Sequence, residues 1–261
     1  KAMSQRELED ARDKVRWGKE RRSMAMSERE KTSTAWHEAG HAILNVLLEH
    51  TSPLHKVTII PRGPYLGATM YLPEGDKYST QQKEALDLLV VTMGGRIAEE
   101  MFTNDISNGA SGDIRQATTL SRKMVCEWGM SSLGMISFAE GNEYVFLARE
   151  MSRPREYSEH TAQQIDAEVK RIIDEAYERA RVLLESHRKE VQVVAKALLE
   201  FETLDASHVN EILEFGEIKN PPIMEVAPPP LPPTPVDVAP EPPESIKPQL
   251  PPGGFAAPAP A

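Results

Sequence analysis

The stretch Thr34-Ala35-Trp36-His37-Glu38-Ala39-Gly40-His41-Ala42-Ile43-Leu44-Asn45-Val46-Leu47-Leu48 decides how this chain is read. Thr32, Ser33 and Thr34 offer N-caps, and Ile43, Leu44, Leu47 and Leu48 recur at helical spacing, so the segment is expected to be an amphipathic helix ending near Leu48. Residues four apart on a helix lie one turn above each other. His37 and His41 therefore face the same side, where two imidazoles can share a Zn²⁺ ion at about 2.0 to 2.1 Å. Glu38 stands about 100° further round, at about 3.6 residues per turn. Its carboxylate falls beside such an ion rather than on it, in the place of a general base that takes a proton from the attacking water and returns it to the leaving amine. Gly40, inside this helix, costs about 1 kcal/mol relative to Ala. Its presence points to close approach by another backbone or by substrate, or to tight helix packing.

Outward from this helix the period changes. His55 to Ile60 is a β-branched run, Pro61 to Pro64 reads as a turn, and Gly67 to Leu72 is a second strand closed by Pro73, which together predict a hairpin. Ser79 or Thr80 then caps a helix whose Leu86, Leu89, Val90, Met93 and Ile97 keep helical spacing to about Phe102. Another helix is expected from about Ser111 to Trp128. From Ser158 to Phe215 the pattern is helical, with breaks near Ser186 and at Thr203 to Asp205, which predicts three helices. The expected fold class is mainly α (α+β), with a small hairpin or sheet and a C-terminal helical bundle.

Composition sets further bounds. The chain has 261 residues, 40% hydrophobic and 27% charged, enough for a real core in one or two domains. A single cysteine, Cys126, excludes an internal disulfide framework and a Cys-rich zinc module. Any metal must then be held by His and carboxylates. The formal net charge of -10 argues against nucleic acid as the main partner. No apolar stretch approaches a membrane span, and no Gly-x-x-x-x-Gly-Lys-Ser/Thr run supplies a P-loop. The first 31 residues carry 10 basic and 7 acidic side chains and read as a solvated helix and linker. Sixteen of the 21 prolines fall between Pro221 and Ala261, so residues 219–261 are expected to be a disordered, semi-stiff tail. The chain begins at Lys1, without a signal or transit pattern, and is expected to be a segment of something longer.

A catalytic zinc site needs three protein ligands and an open fourth position. A continuation His-x-x-Gly-x-x-His is absent, because Leu44 and Leu47 stand where the Gly and the last His would be. The third ligand is then a glutamate on the next long helix, Glu99 or Glu100, or Asp113 in Asn108-Gly109-Ala110-Ser111-Gly112-Asp113. Spacing leans to a glutamate. An acid in a first helical turn such as Asp113 is also favoured by the macrodipole alone, and periodicity leaves the choice open.

Several longer motifs stand in one order along the chain. They are Glu20-Arg21-Arg22-Ser23-Met24, His37-Glu38-Ala39-Gly40-His41-Ala42-Ile43, His55 to Gly63, Leu72-Pro73-Glu74-Gly75-Asp76, Gly94-Gly95-Arg96-Ile97-Ala98-Glu99-Glu100 and Gly109 to Ile114. Together they resemble the membrane-anchored, ATP-dependent zinc proteases of the FtsH type, from about Asp10 to about Leu213. The resemblance implies a helical zincin-type peptidase domain over residues 32–218, with His37, His41 and Asp113 as ligands to one Zn²⁺ per chain and Glu38 as catalytic base. It selects Asp113 over Glu99 and Glu100, which are left to orient a ligating histidine.

The resemblance further implies that residues 1–31 end an upstream AAA+ ATPase module, where ATP and Mg²⁺ would bind, and that the full protein is a homo-hexamer. A membrane anchor would precede that module and hold the protein at the cytoplasmic face of the inner membrane, while this segment itself would be soluble. Its substrates would be unfolded or extracted polypeptides, with the strand Gly67 to Leu72 as the edge that holds an extended peptide. The alternative is a scaffold or adaptor that keeps the fold without the chemistry. Among the remaining residues, His50, His160, His187 and His208 read as solvated, Cys126 as buried and inert, Arg96 as an ion-pair former, and His55 as a possible lining of the cleft.

Overall fold

The helix that carries the histidine pair starts earlier than the hydroxyl cluster at Thr32 to Thr34 suggests. In the computed structural model, which describes residues 5–63, 65–73, 75–138 and 157–222, it runs over Glu28–Leu47 as α2, after α1 (Gln5–Trp17). Ser27 is the N-cap: its Oγ accepts from the Glu30 N–H at 3.2 Å, and Glu30 Oε2 accepts from the Ser27 N–H at 3.0 Å. This reciprocal box satisfies two otherwise orphaned donors. Thr32 instead turns its hydroxyl back to the Glu28 carbonyl at 2.7 Å, inside the helix. The polar run before the hydroxyls therefore belongs to the helix, and hydrophobic periodicity, which begins only at Ala35, could not show it.

Three strands follow the predicted hairpin with one addition. β1 (Leu54–Thr58) pairs antiparallel with β2 (Ala68–Tyr71), and β3 (Thr203–Asp205) pairs antiparallel with the other side of β1. The sheet order is β2-β1-β3, so β2 is an edge. The sequence at Thr203 to Asp205 reads only as a break between helices, because three residues are too few to show a period of two. Its partner lies far away in the chain. Thr58 and Thr203 share a hydroxyl bond at 2.7 Å across that pairing.

The other helices are α3 (Gln82–Thr103), α4 (Ser111–Cys126), α5 (Glu159–Ser186), α6 (Arg188–Phe201) and α7 (Ala206–Phe215). α3 begins after Gln81 rather than after Ser79 or Thr80, and ends at Asn104 in the left-handed region, φ 53°. α4 stops at Cys126, short of Trp128. The fold is mainly α with a small sheet. α2 and α3 pack as the central pair, α5 lies on α3 and α4, and α6 lies on α2. Ile43, Leu44, Leu89, Ile97, Met124, Ile165, Leu198 and Leu204 are all but inaccessible and bring these elements into one core.

The crossing of α2 and α3 is as close as backbones allow. A Cβ at Gly40 would stand 2.3 Å from the Gly94 carbonyl oxygen, and one at Gly94 would stand 2.7 Å from the Gly40 oxygen. Close approach by another backbone is thus the reason for the interior glycine.

The charged N-terminal stretch is less solvated than its alternating pattern suggests. Asp13 is buried and pairs with Lys56 Nζ on β1 at 2.8 Å, with His55 Nε2 at 3.6 Å. Arg21 donates its N–H to the Pro61 carbonyl at 2.7 Å, and Arg62 pairs with Glu20. The counter-charges come from β1 and the turn after it, which local charge counting does not see. Residues 223–261, and with them nearly all of the expected proline-rich tail, lie outside the described residues.

One acidic group ties α5 to the segment after α4. Arg171 holds Glu168 well below its ordinary 4.5, at about 2, against burial and with help from the Ser132 backbone. Glu168 accepts from Ser132 N at 2.8 Å and from Arg171 Nε at 2.8 Å. Because its folded pKa is depressed, its contribution is present above pH 4.5 and is lost as pH falls toward 2. Arg171 is half exposed, so Glu168→Gln is expected to cost only about 1 to 2 kcal/mol at neutral pH. The difference from wild type should shrink as pH falls below 4.5 toward 2. Urea unfolding at pH 7 and pH 3 checks this; an unchanged gap between the two proteins at both pH values would refute it.

Candidate metal centre

α2 presents His37 and His41 one turn apart, with ring centroids 4.7 Å apart at 78° and their Nε2 atoms 3.0 Å apart. Asp113, in the first turn of α4, brings Oδ2 to 3.2 Å from His37 Nε2 and 3.7 Å from His41 Nε2. These three ligand atoms lie within 4.8 Å of one another, the one such group of three among the described residues.

The outer nitrogens determine what the inner ones can do. His41 Nδ1 lies 2.8 Å from the Val91 carbonyl, which can only accept, so this nitrogen carries the proton. His37 Nδ1 lies 2.7 Å from Glu99 Oε1. Glu99 is itself held as a carboxylate: burial opposes its charge, but His37 and Ser107 outweigh it and lower its pKa. With Nδ1 taken on both rings, Nε2 is the nitrogen that faces the other ring and the Asp113 carboxylate, and it can hold either a proton or a metal there. Such a convergence is stable only with a cation, a proton or a metal, between the groups, and two imidazoles with one carboxylate form a donor set that suits zinc.

The same electrostatics appear in the titration of the group. Burial disfavours a charged His37, yet Asp113 and Glu99 prevail and raise it to about 10. Burial likewise works against the Asp113 anion, and the two histidines drive its pKa far below the carboxylate range. A proton and a metal compete for this position.

Glu38 lies beside the trio, 6% exposed. Its Oε2 accepts from the Thr69 hydroxyl at 2.7 Å. Its Oε1 faces Gly67, where an added Cβ would sit only 2.8 Å away. A cleft of about 1300 Å³ opens over these groups, lined among others by Tyr65, Leu66, Tyr71, Leu88, Val91 and Ile106.

The structure brings His37, Glu38, His41 and Asp113 together. It separates the two glutamates that spacing had left open. Glu99 is on the far nitrogen of His37, and Glu100 accepts from the Tyr177 hydroxyl at 2.9 Å, away from the site. His55 does not line this cleft; it stacks on Trp17, centroids 6.2 Å apart. Arg96 donates to the Ser107 carbonyl at 3.0 Å rather than pairing with an acid. Two of the scattered histidines do local work: His187 Nδ1 meets the Leu183 carbonyl at 2.9 Å, and His208 completes a capping box with Asp205.

Sequence reasoning missed Thr69, Tyr71, Gly95 and the Val91 carbonyl. Gly95 offered the only individual signal, as the second of two adjacent glycines inside a helix. A Cβ there would stand 2.5 Å from the His37 ring, so α3 must be bare where the imidazole lies.

A helix-borne His-Glu-x-x-His pair met by a carboxylate from a second helix, under a cleft edged by a strand, is the geometry of a zincin-type peptidase. The chain belongs to peptidase family M41, whose pattern matches residues 24–212. It is 60% identical over 227 residues to the ATP-dependent zinc metalloprotease FtsH 2 of Methylacidiphilum infernorum, covering 87% of this chain and 35% of that protein. With the ATP-dependent zinc metalloprotease FtsH of Akkermansia muciniphila it shares 53% over 234 residues, 89% of this chain and 29% of that one. The corresponding protein of Chlamydia trachomatis serovar L2 is 49% identical over 216 residues, 82% of this chain and 24% of that one. The chain thus spans about a third or less of the length of these curated relatives. The FtsH-type resemblance of its motifs is borne out.

Proposed function

We propose that the chain is a zinc metalloendopeptidase in which His37, His41 and Asp113 hold the metal and Glu38 is the catalytic base. The observation that carries this reading is the convergence of two Nε2 atoms and one carboxylate oxygen within 4.8 Å, beside a buried glutamate. Zinc held there supplies Lewis-acid activation of water and polarises the scissile carbonyl. Glu38 Oε1, the oxygen not engaged by Thr69, takes a proton as the water oxygen bonds to the carbonyl carbon. As the carbon–nitrogen bond breaks, Glu38 returns that proton to the amine. Glu99 and the Val91 carbonyl keep the two rings in the tautomer that points Nε2 inward. An extended peptide adds to the edge strand β2, with side chains entering the cleft at Tyr65, Leu66 and Ile106.

In the longer protein that the relatives' lengths suggest, residues 1–31 would lead from an ATP-hydrolysing module into the peptidase domain, residues 32–218, and the proline-rich tail would follow. The names of the relatives support ATP dependence; the motif resemblance is what suggests that Mg²⁺-ATP would bind in that module. The motif resemblance supports a homo-hexamer, a membrane anchor upstream and a position at the cytoplasmic face of the membrane. Unfolded or extracted proteins are then the substrates. Among the described residues no helix is long and apolar enough to cross a membrane.

Elemental analysis and a casein-cleavage assay test the reading together. The expected result is about one zinc per chain, with cleavage abolished by a chelator and restored by zinc. A zinc-loaded chain that leaves casein intact would instead favour the scaffold alternative. Asp113→Asn is expected to weaken zinc retention roughly 100-fold or more, since it removes the one anionic ligand. Competition against a chromogenic chelator measures this, and unchanged affinity would remove Asp113 from the ligand set.

A further inference from the structure

Glu38 needs a donor. An ionised carboxylate taken out of water is costly unless something hydrogen-bonds it, and among the described residues the only side chain that donates to Glu38 is Thr69, at 2.7 Å to Oε2. The same hydroxyl stands 3.4 Å from the Glu38 carbonyl, too long to compete for its single proton. We infer that Thr69 is the positioning residue of the catalytic base: its hydroxyl holds Oε2 so that Oε1 is aimed at the reacting water. This rests on the peptidase reading above.

Three features make the hydroxyl a fixed point rather than a passing contact. Thr69 sits within β2, in register with the fully buried Val57 of β1, so its backbone is set by the ladder. It is β-branched, which restricts χ1 and hence the direction of Oγ1. Gly67 comes just before β2 begins, and its missing Cβ leaves the space that Oε1 occupies. One end of the carboxylate is thus tied and the other is given room. Since β2 is also an edge of the sheet, a peptide laid along it is placed in register with the residue that aims the base. Docking and proton transfer then share one strand.

Thr69→Val keeps the shape and removes the donor, and Thr69→Ser keeps the donor. On a flexible peptide, Thr69→Val is expected to lower kcat roughly 10- to 100-fold, with KM and zinc content unchanged, and Thr69→Ser is expected to recover most of the loss. Thr69→Ala, which cannot overpack the strand, replaces Val if thermal melting reveals a folding defect. A readout independent of turnover is calorimetric binding of a peptide hydroxamate, whose acidic proton reports on Glu38. Thr69→Val should weaken it in the wild-type background and have no effect in a Glu38→Gln background. A crystal structure of the Val variant should place the Glu38 carboxylate in a different position. Wild-type kcat in the Val variant, no rescue by Ser, equal hydroxamate losses in both backgrounds, or an unmoved Glu38 would each overturn the assignment. A zinc-loaded wild-type chain that cuts no peptide would sink the peptidase reading, while the hydroxamate cycle and the position of Glu38 would still decide the role of Thr69.

Discussion

Glu38→Gln is expected to leave the chain folded and zinc-loaded while slowing peptide hydrolysis about 10²- to 10⁴-fold, the range a positioned acid–base group contributes. The amide is nearly the same size as the carboxylate and can still accept from Thr69 through its oxygen. It therefore disturbs neither the packing around Gly67 nor the three ligand atoms, none of which belongs to residue 38. What it removes is the ability to take a proton from water and to return it to the amine. The check is a progress curve on casein or a fluorogenic peptide together with zinc per chain. A variant that keeps its zinc and cleaves at the wild-type rate would remove Glu38 from the chemistry. One that loses its zinc would mean that residue 38 supports the metal instead.

The second large effect is structural. Gly40→Ala is expected to destabilise the fold by about 3 kcal/mol or more, although Ala is the better helix former by about 1 kcal/mol. The new methyl would stand 2.3 Å from the Gly94 carbonyl oxygen and 2.8 Å from the Ala98 Cβ, in a crossing that has backbone on both sides and no flexible side chain to move aside. α2 and α3 would have to separate. That shift would carry His37 and His41 away from the Val91 carbonyl and Glu99, so zinc affinity should fall with stability. Gly112 is the control, because nothing lies within 4 Å of a Cβ built there, in the first turn of α4. Gly112→Ala should stabilise by up to about 1 kcal/mol. Chemical denaturation of the two variants beside wild type measures both. A Gly40→Ala protein as stable as the Gly112→Ala protein would mean that the crossing has slack which the backbone distances do not suggest.

Much of this molecule is legible from local pattern. The period of 3.6 marks α3 to α7 within a few residues, because each buries one stripe of Leu, Ile and Val. The β-branched run at His55 to Ile60 and the turn after it mark the hairpin. The elements that escape are those whose cause is remote or polar. β3 has three residues and a partner far away in the chain. The start of α2 depends on a Ser27–Glu30 cap within a charged run that has no apolar period. The docking of α1 depends on one buried aspartate meeting a lysine of β1.

The candidate site divides in the same way. The sequence by itself determined that His37 and His41 share a helix face and that Glu38 stands beside them, since spacing within one helix is a local property of the backbone. It also excluded a thiolate donor beyond Cys126 and a third histidine at the His-x-x-Gly-x-x-His step, which turned the reading toward a carboxylate. Periodicity left the carboxylate open among Glu99, Glu100 and Asp113 and only the motif resemblance pointed to Asp113; the tertiary structure brings Asp113 to the pair. Asp113 and Glu99 both reach His37, at opposite ring nitrogens, and the packing of α4 and α3 around α2 decides the side from which each arrives. It alone brings the Thr69 hydroxyl to Glu38, because a bond between a helix and a strand depends on how their faces pack, which no periodicity in either element encodes.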